Sequence, residues 1–109
     1  MRSKSERTIA DALTRYGLPF KYEAAFRCTV EGTNVLYYPD FTILRSNGHE
    51  VIWEHLGLVE NSSYLSKSMR KLSNYMLAGL SLADDLIVTL ESDLQDPRRL
   101  EEIIFRFLI

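Results

Sequence analysis

This chain has little of what most enzyme chemistries start from. Its single cysteine, Cys28, rules out an internal disulfide, and with only two histidines, His49 and His55, the usual zinc-binding sets cannot be assembled. Within AAFRCTVEG, Cys28 reads as a small buried hydrophobe, which fits a reducing compartment. No stretch approaches the about 20 consecutive apolar residues that span a bilayer. The segment MRSKSERTIADAL has no apolar signal core. A cytoplasmic protein with no membrane partner is therefore expected. There is no phosphate-binding P-loop, no dinucleotide glycine motif and no serine-histidine-acid set. Nor is there a linker, repeat or low-complexity tract, so the 109 residues are expected to form one domain, 1–109.

A large excess of either charge is missing too. The net charge of -2 argues against a broad, non-specific nucleic-acid surface. What is present is segregation. Arg2, Lys4 and Arg7 cluster near the start, and Lys67, Arg70 and Lys71 cluster in mid-chain. The acids gather at Asp84-Asp85, from Glu91 to Asp96, and at Glu101-Glu102. A basic face opposed to an acidic one would seat a polyanion; two well-solvated helix faces would look the same.

The apolar pattern predicts an α/β domain of order α-β-β-β-α-β-α, with a mixed central sheet flanked by helices. Ser3 or Ser5 caps a first helix whose Ile9, Leu13 and Tyr16 recur at helical spacing, and Gly17 and Pro19 stop it. Phe20 to Val30 reads as one strand, ending in the turn Glu31-Gly32-Thr33-Asn34. Val35 to Leu44 reads as a second extended run, in which Pro39 must take an edge or bulge position because it has no N–H. Asn47-Gly48 is a strong hairpin signal leading into a third strand, Glu50 to Leu56. Asn61-Ser62-Ser63 then offers caps for a long helix, Tyr64 to Leu80, with Leu65, Met69, Leu72, Met76 and Leu80 as its expected buried stripe. The apolar run Leu86 to Leu90 reads as a central or near-central strand. Asp96-Pro97 opens a last helix, as cap and first position.

Strand alternation sets Ile52, Glu54 and Leu56 on one face and Val51, Trp53 and His55 on the other. A carboxylate at Glu54, between apolar neighbours, is costly unless it is paired, hydrogen-bonded or bound to metal. Asp40 stands on the strand that the Asn47-Gly48 turn pairs with it, and that turn lies about midway between the two acids. They should face each other. Like charges so placed raise each other's proton affinity unless a cation intervenes, and a hard oxygen-seeking ion, Mg²⁺ or Mn²⁺, is the natural one. The His55 carbonyl would complete the protein's ligands. Two exposed strand acids are the bland alternative. Glu6, in the first helix, would overhang the same sheet end as a further catalytic acid, orienting a metal-bound water or joining a second metal; otherwise it is an ordinary first-turn glutamate. Lys67, Lys71 and Tyr75 fall along one side of the long helix, where Lys71 would steady a phosphate or attacking water and Tyr75 would support it. Otherwise Lys71 is a lysine whose stem lies on apolar surface. The His55 ring should face away from Glu54 as a hydrogen-bonding group, His49 should be exposed, and Trp53 should pack a helix against the sheet.

These residues resemble the PD-(D/E)XK nuclease superfamily, the restriction-endonuclease-like fold. The likeness rests on Glu6, on Pro39-Asp40 before Phe41, on Glu54 in WEHLG and on the element order, and it covers almost the whole chain. It is most similar to a small bacterial or phage branch in which a WEHLG strand is followed by a Lys…Tyr helix, often within larger helicase-like or DNA-processing proteins. The resemblance implies Mg²⁺ or Mn²⁺ on Asp40 and Glu54 and hydrolysis of DNA phosphodiester bonds. So small a domain offers little surface for specific DNA recognition, so a homodimer or a larger DNA-processing partner such as a helicase is expected. The family's lysine two residues after the strand acid is Leu56 here. Lys71-Leu72-Ser73-Asn74-Tyr75 fits the variant that moves this lysine to the following helix, which assigns its role to Lys71 with Tyr75 in support. A non-catalytic nucleic-acid-binding or assembly module that keeps the fold is the alternative.

Overall fold

A computed structural model describes residues 3–109; Arg2 of the first basic cluster lies outside them. The elements run α1 (Lys4–Arg15), β1 (Phe20–Tyr22), β2 (Phe26–Val30), β3 (Thr33–Tyr37), β4 (Phe41–Leu44), β5 (Glu50–Leu56), α2 (Ser62–Leu77), β6 (Leu86–Leu90), α3 (Glu91–Leu94) and α4 (Pro97–Phe107). A four-stranded mixed sheet in the order β1-β4-β5-β6 forms the centre, and β2 and β3 make a separate two-stranded ribbon. β1, β4 and β5 are antiparallel in turn, while β6 runs parallel to β5. No helix among the described residues is long and apolar enough to cross a membrane.

The α/β class, the mixed sheet and the flanking helices match expectation, but the element order does not. Each of the first two extended runs breaks in two. Phe20 to Val30 breaks after Tyr22, where Glu23 turns to a φ of 47°. Val35 to Leu44 breaks at Pro39, which has no N–H to carry a ladder forward. The pieces freed between these breaks pair with each other as the ribbon, through a two-residue turn at Glu31 and Gly32. Both turn residues have positive φ, as a type I′ hairpin turn requires. Thr33 and Asn34, expected in the turn, belong to β3. Cys28, on the ribbon, is half-buried rather than buried.

The sheet face carrying Phe41, Ile43, Val51, Trp53 and Ile87 packs against α1 and α4 through Ile9, Leu13, Leu100, Ile103 and Ile104. The opposite face carries Ile52, Leu56 and Leu86 against Leu72 and Tyr75 of α2, with Phe26 and Tyr37 of the ribbon alongside. The buried side of α2 differs from expectation. Ser68, Leu72 and Tyr75 point inward, while Met69 and Met76 are 46% and 48% exposed. Small Ser68 and aromatic Tyr75 define the stripe, so the apolar residues alone mislead. The helix is capped by Asn61, whose side chain accepts from the Tyr64 amide at 3.0 Å. It ends in a Schellman turn at Gly79, with the Leu80 amide donating to the Tyr75 carbonyl and the Gly79 amide to that of Met76.

β6 is an edge strand, not a central one. Its apolar character comes from cover on its faces, since Leu86 belongs to one core layer and Ile87 to the other. The open edge is blocked at both ends. The Ala83 amide donates to the Leu86 carbonyl at 2.8 Å, and the Leu90 amide donates to Asp93 Oδ2 at 2.8 Å.

Candidate active site

The register Phe41↔Trp53 and Thr42↔Ile52 sets Asp40, just ahead of β4, opposite Glu54. The ladder does not extend to them as strand pairing; side chains continue it instead. The Asp40 amide donates to Glu54 Oε1 at 2.8 Å, and the His55 amide donates to Asp40 Oδ2 at 2.8 Å. Each carboxylate is thus held by the backbone of the other's segment. Asp40 lies between β3 and β4; its carbonyl accepts from the Glu23 amide at 3.4 Å, while its own amide turns to a side chain.

Glu54 is 1% exposed. Its second oxygen, Oε2, meets the Lys71 ammonium at 2.6 Å and accepts the Tyr75 hydroxyl at 3.3 Å. Lys67 is exposed, Lys71 half-buried and Tyr75 fully buried, so the line along α2 descends from solvent to the core. The Tyr75 ring is held edge-on by Phe26 and by Tyr37, which ties the ribbon to the site. Burial pushes the Tyr75 hydroxyl far above its usual range, reinforced by the adjacent Glu54 charge, so it serves only as a neutral donor.

Both carboxyls have raised proton affinity. For Glu54, burial is the main cause and outweighs the lowering effects of the Lys71 bond and charge and of the Asp40 amide. For Asp40, burial again leads, opposed by the His55 amide bond and supported by the Glu6 charge. The Glu6 charge therefore acts on Asp40 from the first turn of α1, where the Glu6 amide is capped by Ser3 at 3.1 Å.

His55 lies on the other face, as alternation requires. Its Nδ1 is 2.8 Å from Thr89 Oγ1 and its Nε2 is 2.7 Å from Glu91 Oε1. Its carbonyl receives the Tyr64 hydroxyl only at 3.5 Å, longer than an ordinary O–H···O bond. Trp53 is fully buried in the layer under α1 and α4, and its Nε1 donates to Thr89 at 2.9 Å. His49 is 44% exposed at its side chain but pairs with Asp85 at 2.6 Å, joining the β4–β5 turn to the approach of β6. The structure thus brings together Asp40, Glu54, Lys71 and Tyr75, with the Glu6 charge at the edge of the group. The parts played by Thr89 and Glu91 were not visible beforehand. The only signal was Thr89 itself, a hydroxyl in an otherwise apolar strand.

Among the described residues, no group of three or more His, Cys, Asp or Glu side chains is placed to hold a metal ion. The donor set for a cation is two carboxylates and a main-chain oxygen. Three donors already meet Glu54, whose ionised carboxylate has about four lone-pair positions, so the remaining one lies on Oε1, beside Asp40. Asp40 is bonded through Oδ2. Such a set fits a small hard cation that keeps several of its waters, rather than a cage of protein ligands. No protein-family model, no curated protein and no solved structure matches this chain.

Proposed function

We infer that this protein hydrolyses DNA phosphodiester bonds with the help of Mg²⁺ or Mn²⁺, on a restriction-endonuclease-like version of the α/β fold. One observation carries the reading. A buried glutamate and an aspartate, opposed across two strands, are bonded to each other's backbone and met by a lysine from the helix behind. Purely structural acids would be cheaper to replace by apolar residues, since a buried ion pair is at best a modest source of stability.

Asp40 and Glu54 would hold the cation, with the His55 carbonyl as the third protein oxygen. When bound, a hard divalent ion would lower the pKa of water and neutralise charge on the phosphate. The chain's own groups would do the rest. The Lys71 ammonium, now neutralising Glu54, lies where it would also face a phosphate and offset developing negative charge. Tyr75 fixes the Glu54 carboxylate, and Glu6 would orient water near Asp40. Leu56, in the usual lysine position, is buried in the α2 layer, and the helix supplies the cation through Lys71.

The binding-module reading has one observation in its favour: Glu54 is already well satisfied without a metal. Nicking of supercoiled, linear and single-stranded DNA in Mg²⁺ or Mn²⁺ separates the two readings. The parent should cut at least one form, and Asp40→Ala and Glu54→Ala should not. Variants that cut as well as the parent overturn the reading, as does a manganese-soaked crystal with no anomalous peak between the two carboxylates.

A further inference from the structure

We propose that Thr89 and Glu91 are positioning residues that hold the His55 backbone against Asp40, acting through the His55 ring. The inference rests on the metal-site reading and adds residues outside it. Five side chains form one chain of hydrogen bonds from the core to the surface. Trp53 Nε1 is 2.9 Å from Thr89 Oγ1, which is 2.8 Å from His55 Nδ1. His55 Nε2 is 2.7 Å from Glu91 Oε1, and the Ser5 hydroxyl donates to the same oxygen at 2.6 Å.

The direction of the chain follows from its first member. An indole N–H can only donate, so Thr89 accepts from Trp53, which leaves its own hydrogen for Nδ1 when the His55 ring is neutral. The proton of a neutral ring is then on Nε2, aimed at Glu91. At the other end an ionised carboxylate can only accept, so Nε2 carries a hydrogen whichever way the Thr89 bond runs. Thr89 is 1% exposed, so an unmatched hydroxyl there would be costly. Both ring nitrogens are used, and Ser5 bonds the carboxylate rather than the imidazole. The group therefore contains neither a free base nor an activated serine.

Its effect is mechanical. His55 is anchored through its ring on the α1 side of the sheet while its amide reaches Asp40 Oδ2 at 2.8 Å. Glu91 also fastens Ser5, the neighbour of Glu6, so one carboxylate ties α1 and β5 together at the end of the sheet where the site lies. Metal ligands are commonly oriented by such outer partners, whose loss typically costs ten- to a hundred-fold in metal affinity.

Two measurements on the intact protein test this. Long-range ¹H–¹⁵N NMR should show a hydrogen on His55 Nε2; a ring whose Nε2 is bare overturns the chain of bonds. Mn²⁺ binding, read by electron paramagnetic resonance without DNA, should weaken about tenfold or more in Thr89→Val and in Glu91→Ala. It should be restored in Thr89→Ser and Glu91→Gln, which keep the acceptors. Circular dichroism on each variant confirms that the folded protein is being read. If the parent binds Mn²⁺ and folded Thr89→Val and Glu91→Ala bind it equally well, the metal reading stands and the positioning role falls. If the parent takes up no Mn²⁺, the metal reading itself fails and takes the positioning role with it.

Discussion

The Lys71 ammonium stands 2.6 Å from Glu54 Oε2, so the most deeply buried acid of the sheet meets its counter-charge from the helix behind it. Removing either partner alone leaves the other charge stranded. Lys71→Met should cost about 3 kcal/mol at neutral pH, in the range for breaking a buried pair. Lys71→Met combined with Glu54→Gln should cost clearly less than the two single losses added. Urea unfolding of the four proteins of this cycle measures the coupling, and additive losses would show that the pair is not energetically linked.

Burial raises the proton affinity of Glu54 above the ordinary 4.5 and that of Asp40 above the ordinary 3.8. The folded state therefore binds these protons more readily than the unfolded chain does. Ionisation opposes folding above the raised pKa values, and this opposition fades as pH falls toward the ordinary ones. Glu91 has the opposite sign. The Ser5 and His55 bonds lower its pKa, so it contributes stability above 4.5 that is lost as pH falls through its folded value. Glu91 is common to the parent and to Glu54→Gln and cancels in their difference. The parent should gain stability relative to Glu54→Gln as pH is lowered from about 8 toward 4.5. Paired thermal melts check this; a flat difference across that window contradicts it.

Tyr75 combines two roles that substitution can separate. Tyr75→Phe keeps the ring against Phe26 and Tyr37 and loses only the bond to Glu54, at a cost of about 1 kcal/mol. Tyr75→Ala empties a fully buried site and should cost about 3–5 kcal/mol. It should also loosen the ribbon, seen as faster amide exchange over 26–37 with exchange in β5 much less affected.

Much of the site was legible because short-range rules govern it. Alternation placed Glu54 and His55 on opposite faces, and the Asn47-Gly48 turn fixed the register that sets Asp40 against Glu54. The caps Ser3, Asn61 and Asp96 all sit where the helices begin. Long-range relations were not legible. Glu23 adopts a positive φ that its residue type does not advertise, so the split between β1 and β2 was missed. Met69 and Met76 have the right spacing for a buried stripe but face outward, because the neighbouring ribbon packs against Tyr75. The Thr89 and Glu91 contacts depend on β6 lying parallel to β5 with His55 beside Thr89, a register no local pattern encodes.

The blocked margin of β6 limits how this protein can assemble. With the Leu86 carbonyl and the Leu90 amide already engaged, too little free ladder remains for another chain to add a strand. Asp93→Ala frees the Leu90 amide and should promote concentration-dependent self-association beyond the parent's in sedimentation experiments; Asp93→Asn, which keeps an acceptor oxygen, should not. The sheet is consequently closed to extension on the β6 side, and its other edge is the three-residue β1. Whatever meets the protein along β6 has to be recognised through side chains and not through a shared backbone.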